Sequence, residues 1–259
     1  MTLTTESLLL SVAMAAAAGL VGAFAVMRRM ALASDALSHV ALPGIGLALA
    51  LRLHPALGAV AALCLGALLI WSLEHRTRMS TETVIGVVFS TALAVGSMMA
   101  TGDELLDALL GAPRALTRVE AGLGIVAAVG IVAFVLSQKE RLVVALVSTD
   151  LARTSGVRVE RLELAFLLAF ALTVSLGLRY LGVLLMGSLL IIPAATAKHL
   201  ALSLEGMLGT SVVLAVASTV SGEVLAGRLS RPPGPVIIAV AATLFFASLA
   251  LRRRRWPRR

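Results

Sequence analysis

Residues 7–27 read SLLLSVAMAAAAGLVGAFAVM. No charged side chain interrupts the run, and a helix of that length rises about 31 Å, the thickness of a bilayer's hydrocarbon core. Within hydrocarbon only helices and closed barrels satisfy their own backbone, and an unbroken apolar run rather than a two-residue alternation selects the helix. The preceding MTLTTE carries no basic cluster of the kind that opens a secretory signal, so the segment reads as a retained first span.

The rest of the chain repeats this pattern. Of 259 residues, 59% are hydrophobic and 14% charged, with a mean hydropathy of +1.00. That composition excludes an ordinary soluble domain and predicts an all-α polytopic membrane protein. Spans are expected at about 7–27, 30–51, 55–73, 82–100, 120–137, 162–179, 181–198, 207–227 and 235–251. A split or re-entrant segment near TGDELLDALLGAPRALTR, residues 101–118, would alter that count, so eight to nine membrane helices are expected.

Net charge is +8, which in a soluble chain would point to nucleic acid. Here the excess lies between spans and in the terminal RRRRWPRR, as expected for a tail beside anionic lipid, and no nucleic-acid partner is expected. With that tail cytoplasmic and the N-terminus outside, sixteen of the 22 Lys and Arg fall on the cytoplasmic side. The remaining six are Arg52, Arg114, Arg118, Arg179, Arg228 and Arg231. That bias matches the positive-inside rule for a multi-pass protein of the cytoplasmic (inner) membrane. Cys64 is the sole cysteine, so neither a disulfide framework nor a thiolate cluster is available.

No extramembrane stretch is long enough for a second domain, and residues 1–259 read as one transmembrane unit. The longest hydrophilic connector, about 138–161, carries five positive charges on an amphipathic pattern and reads as a solvated connector or a docking surface for a soluble partner. The chain lacks GxxxxGK[ST], HExxH, GxSxG and CxxC. It has no nucleotide cradle of its own, is not expected to be an enzyme, and needs an external energy source. No two of its 22 glycines stand four apart, so helix contact must rest on small residues generally.

Inside the second span stand Asp35 and His39, four residues apart and therefore on one helical face. Ionisable groups at membrane depth normally face protein or a wet cavity and mark a pathway. A carboxylate with an imidazole suits Zn²⁺ or Mn²⁺, the imidazole favouring the first and the oxygen the second. Pro43 cannot donate to the carbonyl of His39, and Gly44 and Gly46 admit a neighbouring helix. The pair is equally read as a local hydrogen bond, or Asp35 as an interfacial residue near Arg28 and Arg29. Pro193 interrupts a later span in a similar way, as paired broken helices do beside a substrate path, or as an ordinary kink. Glu223 is a further intramembrane carboxylate and candidate ligand, placed by its depth nearer the outer surface than His39.

Several stretches resemble the ABC-3 integral membrane permeases that import zinc or manganese in bacteria. They are RRMALASDALSHVALPGIGLALAL (28–51), LLGAPRALTRVE (109–120), DLARTSGVRVERLELAFLLAFALTVSLGLRYLGVLLMGSLLIIPAATAKHL (150–200) and PPGPVIIAVAATLFFASL (232–249). The resemblance implies an ABC importer permease of type II-like fold that works as a homodimer. It also implies two copies of a cytoplasmic ATPase that use the ATP, and an extracytoplasmic metal-binding protein. Zn²⁺ or Mn²⁺ is then cargo rather than a permanently bound cofactor. Asp35 and His39 carry over as path ligands, and Asp150 through Gly156, with Ala152 and Arg153, as the ATPase contact. Ser148 stands where many relatives have aspartate, Leu110 precedes Gly111 where the family loop has phenylalanine, and Glu223 replaces a more usual apolar residue. Rival readings are a permease for a larger cargo such as a metal chelate or vitamin, and an intramembrane metalloenzyme.

Overall fold

The computed structural model describes residues 5–77, 79–99, 117–181 and 183–255. Among them the chain is entirely helical: α1 (Thr5–Met27), α2 (Ala31–Ala50), α3 (Pro55–Thr77), α4 (Thr81–Met99), α5 (Arg118–Val147), α6 (Thr149–Thr154), α7 (Val159–Leu181), α8 (Val183–Leu200), α9 (Leu204–Leu229) and α10 (Pro233–Arg255). Eight of these are long and apolar enough to cross a membrane, and α8 packs among them. Residues 101–116 of the expected re-entrant segment, including Leu110 and Gly111, lie outside the described residues, and Thr117 and Arg118 open α5.

Small residues set the centre of the bundle. Ala15, Ala17, Ala18 and Ala23 of α1 are wholly buried, and α1 packs on α9, α5 and α8. Helices already in lipid gain no hydrophobic free energy by associating, so close van der Waals contact and occasional hydrogen bonds hold the seams. Ser211 of α9 donates one such bond to the Gly19 carbonyl of α1 at 2.7 Å. A second group forms around α2, which packs on α3, α4 and α8, while α3 also meets α7. On the α2–α3 seam, a Cβ on Gly44 would lie 2.2 Å from the Gly58 carbonyl oxygen, and one on Gly58 would lie 2.1 Å from that of Gly44. Alanine at either position would force the helices apart.

Both internal prolines are accommodated without ending a helix: α2 runs through Pro43 and α8 through Pro193. The largest departure from expectation is α5. The sequence predicts a span ending near 137 and a connector from 138, whereas the helix continues to Val147. Nothing in SQKERLVVALV breaks a helix, so Lys139, Glu140 and Arg141 mark the membrane boundary rather than a chain reversal. Thirty residues rise about 45 Å, well beyond the hydrocarbon. The connector therefore divides into the projecting end of α5, the short α6 and the entry to α7.

One end of the bundle gathers Arg28 and Arg29, the end of α3 and start of α4, the end of α5 and the start of α7 around one cavity, and α6 packs on α5 and α7 beside it. This is the basic end.

Candidate metal centre

Asp35 is the fifth residue of α2, and His39 follows one turn later. Measured from the N-cap Met30, His39 lies about 13 Å along the helix, close to the middle of a bilayer core about 30 Å thick. Asp35 does not cap α2, whose N-cap makes no side-chain bond. The opposite stripe of the helix is sealed: Ser34, Leu37, Ser38 and Ala41 are fully buried, and Ser38 returns its hydroxyl to the Ser34 carbonyl at 2.8 Å. Asp35 itself is exposed and His39 half-buried.

Two neighbours fix this stripe. From α4, Phe89 meets the His39 ring edge-on, with centroids 5.5 Å apart. From α8, Gly187 approaches so closely that a Cβ there would stand 2.9 Å from Asp35 Cα, and Ser34 donates to the Gly187 carbonyl at 3.3 Å. His39 Nδ1 is buried with no hydrogen-bond partner among the described residues. A buried ring nitrogen without a partner is costly and calls for an occupant, so the local hydrogen-bonded pair does not form through this atom.

Glu223 belongs to another seam. It lies on α9 facing α1, where the Ser11 hydroxyl donates to Oε1 at 2.5 Å and Oε2 is buried without a hydrogen-bond partner among the described residues. Among the described residues no three His, Cys, Asp or Glu side chains converge as a metal cage, so Asp35, His39 and Glu223 do not form one ligand set. Gly44 serves the α2–α3 seam, while Gly96 of α4 packs against Leu42 and Pro43.

At the basic end, α6 is held at both termini. Ser148 (φ −158°, ψ 118°) ends α5 and caps α6, its hydroxyl accepting from Leu151 N at 3.2 Å. At the far end Val157 N returns to Ala152 O and Gly156 N to Arg153 O, with Gly156 at φ +80°. That is a Schellman stop, which needs a residue tolerant of the left-handed region. Ala152 is fully buried, whereas Asp150, Arg153 and Gly156 are exposed.

A charged group that sequence reading missed lies beside it. A cavity of about 290 Å³ is lined by Arg28, Arg29, Met30, Glu74, Thr81 and Glu163, among others. Burial pushes the Arg28 guanidinium down from its ordinary value, and Glu163 and Glu74 beside it push it back up; it stacks 5.0 Å from the Phe166 ring centroid. The Thr81 hydroxyl donates to Glu74. His75 faces Glu163 across 3.6 Å, and Trp71 Nε1 donates to the Glu160 carbonyl at 3.0 Å. In sequence His75 stands beside Arg76 and Arg78 at the end of a span, where charge is ordinary, and the sole clue is that it is one of only four histidines.

The model of the ABC 3 transport family matches residues 1–252. The chain belongs to that family, whose members are transport permeases. Family membership agrees with the sequence resemblance and makes the helical bundle that of an ABC transporter permease. Among relatives, the high-affinity zinc uptake system membrane protein ZnuB of Haemophilus influenzae is 30% identical, the alignment covering 90% of this chain and 91% of that protein. The manganese transport system membrane protein MntC of Halalkalibacterium halodurans is 28% identical over 88% of this chain and 80% of its own. Among solved structures, PsaBC from Streptococcus pneumoniae in complex with Fab superposes with a TM-score of 0.81 at 25% identity, covering 95% of this chain and 91% of that one. This ABC 3 permease thus carries, on one turn of α2, an exposed carboxylate and an imidazole whose Nδ1 has no hydrogen-bond partner among the described residues.

Proposed function

We propose that this ABC 3 permease carries Zn²⁺ or Mn²⁺ inward across the cytoplasmic membrane by alternating access, as one half of a homodimer whose two α2 helices face a shared path. The observation that carries the reading is His39 Nδ1, buried and without a hydrogen-bond partner among the described residues, one turn from the exposed Asp35. An imidazole and a carboxylate so placed supply two ligands to a cation shedding its water. Two protein ligands hold it loosely enough to let it go, which transport requires. The names of the zinc and manganese relatives support the cargo class.

Energy comes from a separate ATPase that uses the ATP and seats on α6 through Asp150, Arg153 and Gly156, with buried Ala152 anchoring that helix to the bundle. Val147 and Leu151 support this assignment, being 75% and 54% exposed at the polar end of the molecule. An extracytoplasmic binding protein delivers the ion to the opposite end, and the C-terminal tail lies in the cytoplasm. The absence of a third converging ligand among the described residues weighs against an intramembrane metalloenzyme, which needs a metal-held water and an acid–base partner.

The test is divalent-ion uptake into vesicles containing this chain and its ATPase, with zinc and manganese competing. Asp35→Ala and His39→Ala should each abolish uptake while the protein still inserts in the membrane. Uptake at the wild-type rate by both variants rejects the ligand assignment.

A further inference from the structure

Among the described residues four adopt positive φ, and each follows a helix: Arg29 (+60°), Arg52 (+56°), Gly156 (+80°) and Ser230 (+52°). Three of these stops share one bonding pattern. Arg29 N donates to Val26 O and Met30 N to Ala25 O; Arg52 N donates to Leu49 O and Leu53 N to Ala48 O; Gly156 N donates to Arg153 O and Val157 N to Ala152 O. All three are Schellman stops, whose left-handed position glycine fills without a Cβ clash. Gly156 is the expected residue. An arginine there is held against its own backbone preference, and such a residue points to a role for its side chain.

The two arginines bracket α2, the helix that carries Asp35 and His39. Arg29 stands one residue before its N-cap Met30 and Arg52 one residue after its C-cap Leu51. The 20 helical residues between them rise about 30 Å, the thickness of the hydrocarbon core, so one guanidinium stands at each membrane boundary of this helix. Both are exposed, and neither has an ion-pair or hydrogen-bond partner for its side chain among the described residues. The carboxylates at the two ends are engaged elsewhere. Glu74 and Glu163 act on Arg28, while Glu120 accepts from Thr117 and faces His54. With the C-terminal tail in the cytoplasm, Arg29 follows the positive-inside bias and Arg52 opposes it.

A fixed charge at a narrow opening between low-dielectric walls acts with a focused field, and a divalent ion feels it twice as strongly as a monovalent one. Two uncompensated guanidinium groups at the ends of α2 therefore repel the very ions that the α2 pair suits when those ions approach through bulk solvent. An ion handed over by a protein seated on the opening makes no such approach. We propose that Arg29 and Arg52 are electrostatic barriers that determine how cargo enters: Arg52 turns away free divalent cations on the outer side, and Arg29 stops their return from the cytoplasm. The proposal rests on the reading that this permease passes a divalent metal ion along α2.

The experiment uses vesicles containing the full-length chain and its ATPase, with no binding protein, Mn²⁺ outside as the probe and a trapped dye that Mn²⁺ quenches. With the outer face exposed, Arg52→Gly should raise Mn²⁺ entry at least about tenfold over wild type. With the cytoplasmic face exposed, Arg29→Gly should do the same. Arg52→Lys and Arg29→Lys keep the charge and should hold entry near the wild-type level. Glycine suits both backbone positions, so each glycine variant should unfold in detergent at a temperature no lower than wild type, which separates a lost barrier from a loosened fold. Entry that is unchanged by glycine, raised equally by lysine, or accompanied by earlier unfolding overturns the barrier. Failure of the transport reading shows separately, as wild-type vesicles that take up neither metal when the binding protein is supplied.

Discussion

Gly187 of α8 lies against the backbone of Asp35, so that a Cβ added there would stand 2.9 Å from both Asp35 Cα and Asp35 N. Backbone atoms cannot swing aside as a flexible side chain does. Gly187→Ala should therefore cost about 1–3 kcal/mol in overpacking and displace the stripe bearing Asp35 and His39. Thermal unfolding in detergent should show the loss, and zinc uptake should fall with it. Gly86→Ala is the matched control, because nothing lies within 4 Å of a Cβ on Gly86. It should leave uptake unchanged and stability equal or higher, alanine being the better helix former.

Replacing the imidazole by a carboxylate tests the chemistry of the pair. His39→Asp leaves only oxygen donors on that turn of α2, a set that suits manganese better than zinc. Zinc uptake should fall at least about tenfold relative to manganese uptake, measured with the two ions in competition. An unchanged ratio would mean that His39 never touches the cargo.

The Schellman stop after α6 depends on Gly156 at φ +80°. Gly156→Val places a β-branched residue in the left-handed region at a cost of about 1–2 kcal/mol. The bundle should still insert, because the strain is confined to an exposed turn. ATP hydrolysis by the assembled complex should lose its response to metal, read as the ratio of rates with and without Zn²⁺.

Ser148 provides the complementary test at the other end of α6. Its hydroxyl accepts from Leu151 N, and loss of an N-cap costs about 1 kcal/mol. Ser148→Ala should reduce ATPase coupling, whereas Ser148→Asp should preserve it, since aspartate caps as well as serine does. Equal coupling in the two variants would show that the cap is unimportant.

The positions of the membrane helices were readable because each is a long apolar run between charges, and bilayer thickness fixes its length. Asp35 and His39 were readable because ionisable groups stand out inside such runs. The length of α5 was not: Lys139 to Arg141 interrupt hydropathy but not helix geometry, and only capping at Ser148 ends the helix. The cluster of Arg28, Glu74, His75 and Glu163 was hidden for a different reason. Its members sit at the ends of three separate helices, where charges are ordinary, and only packing of α3 on α7 brings His75 to Glu163.

Helix α2 is flanked by near-contact on two sides, by Gly58 of α3 at Gly44 and by Gly187 of α8 at Asp35. No clearance remains for α2 to twist alone about its own axis. The stripe bearing Asp35 and His39 is therefore wedged between α3 and α8. Because Trp71 of α3 is bonded to the Glu160 carbonyl at the entry to α7, the same wedge is continuous with the start of α7 at the basic end.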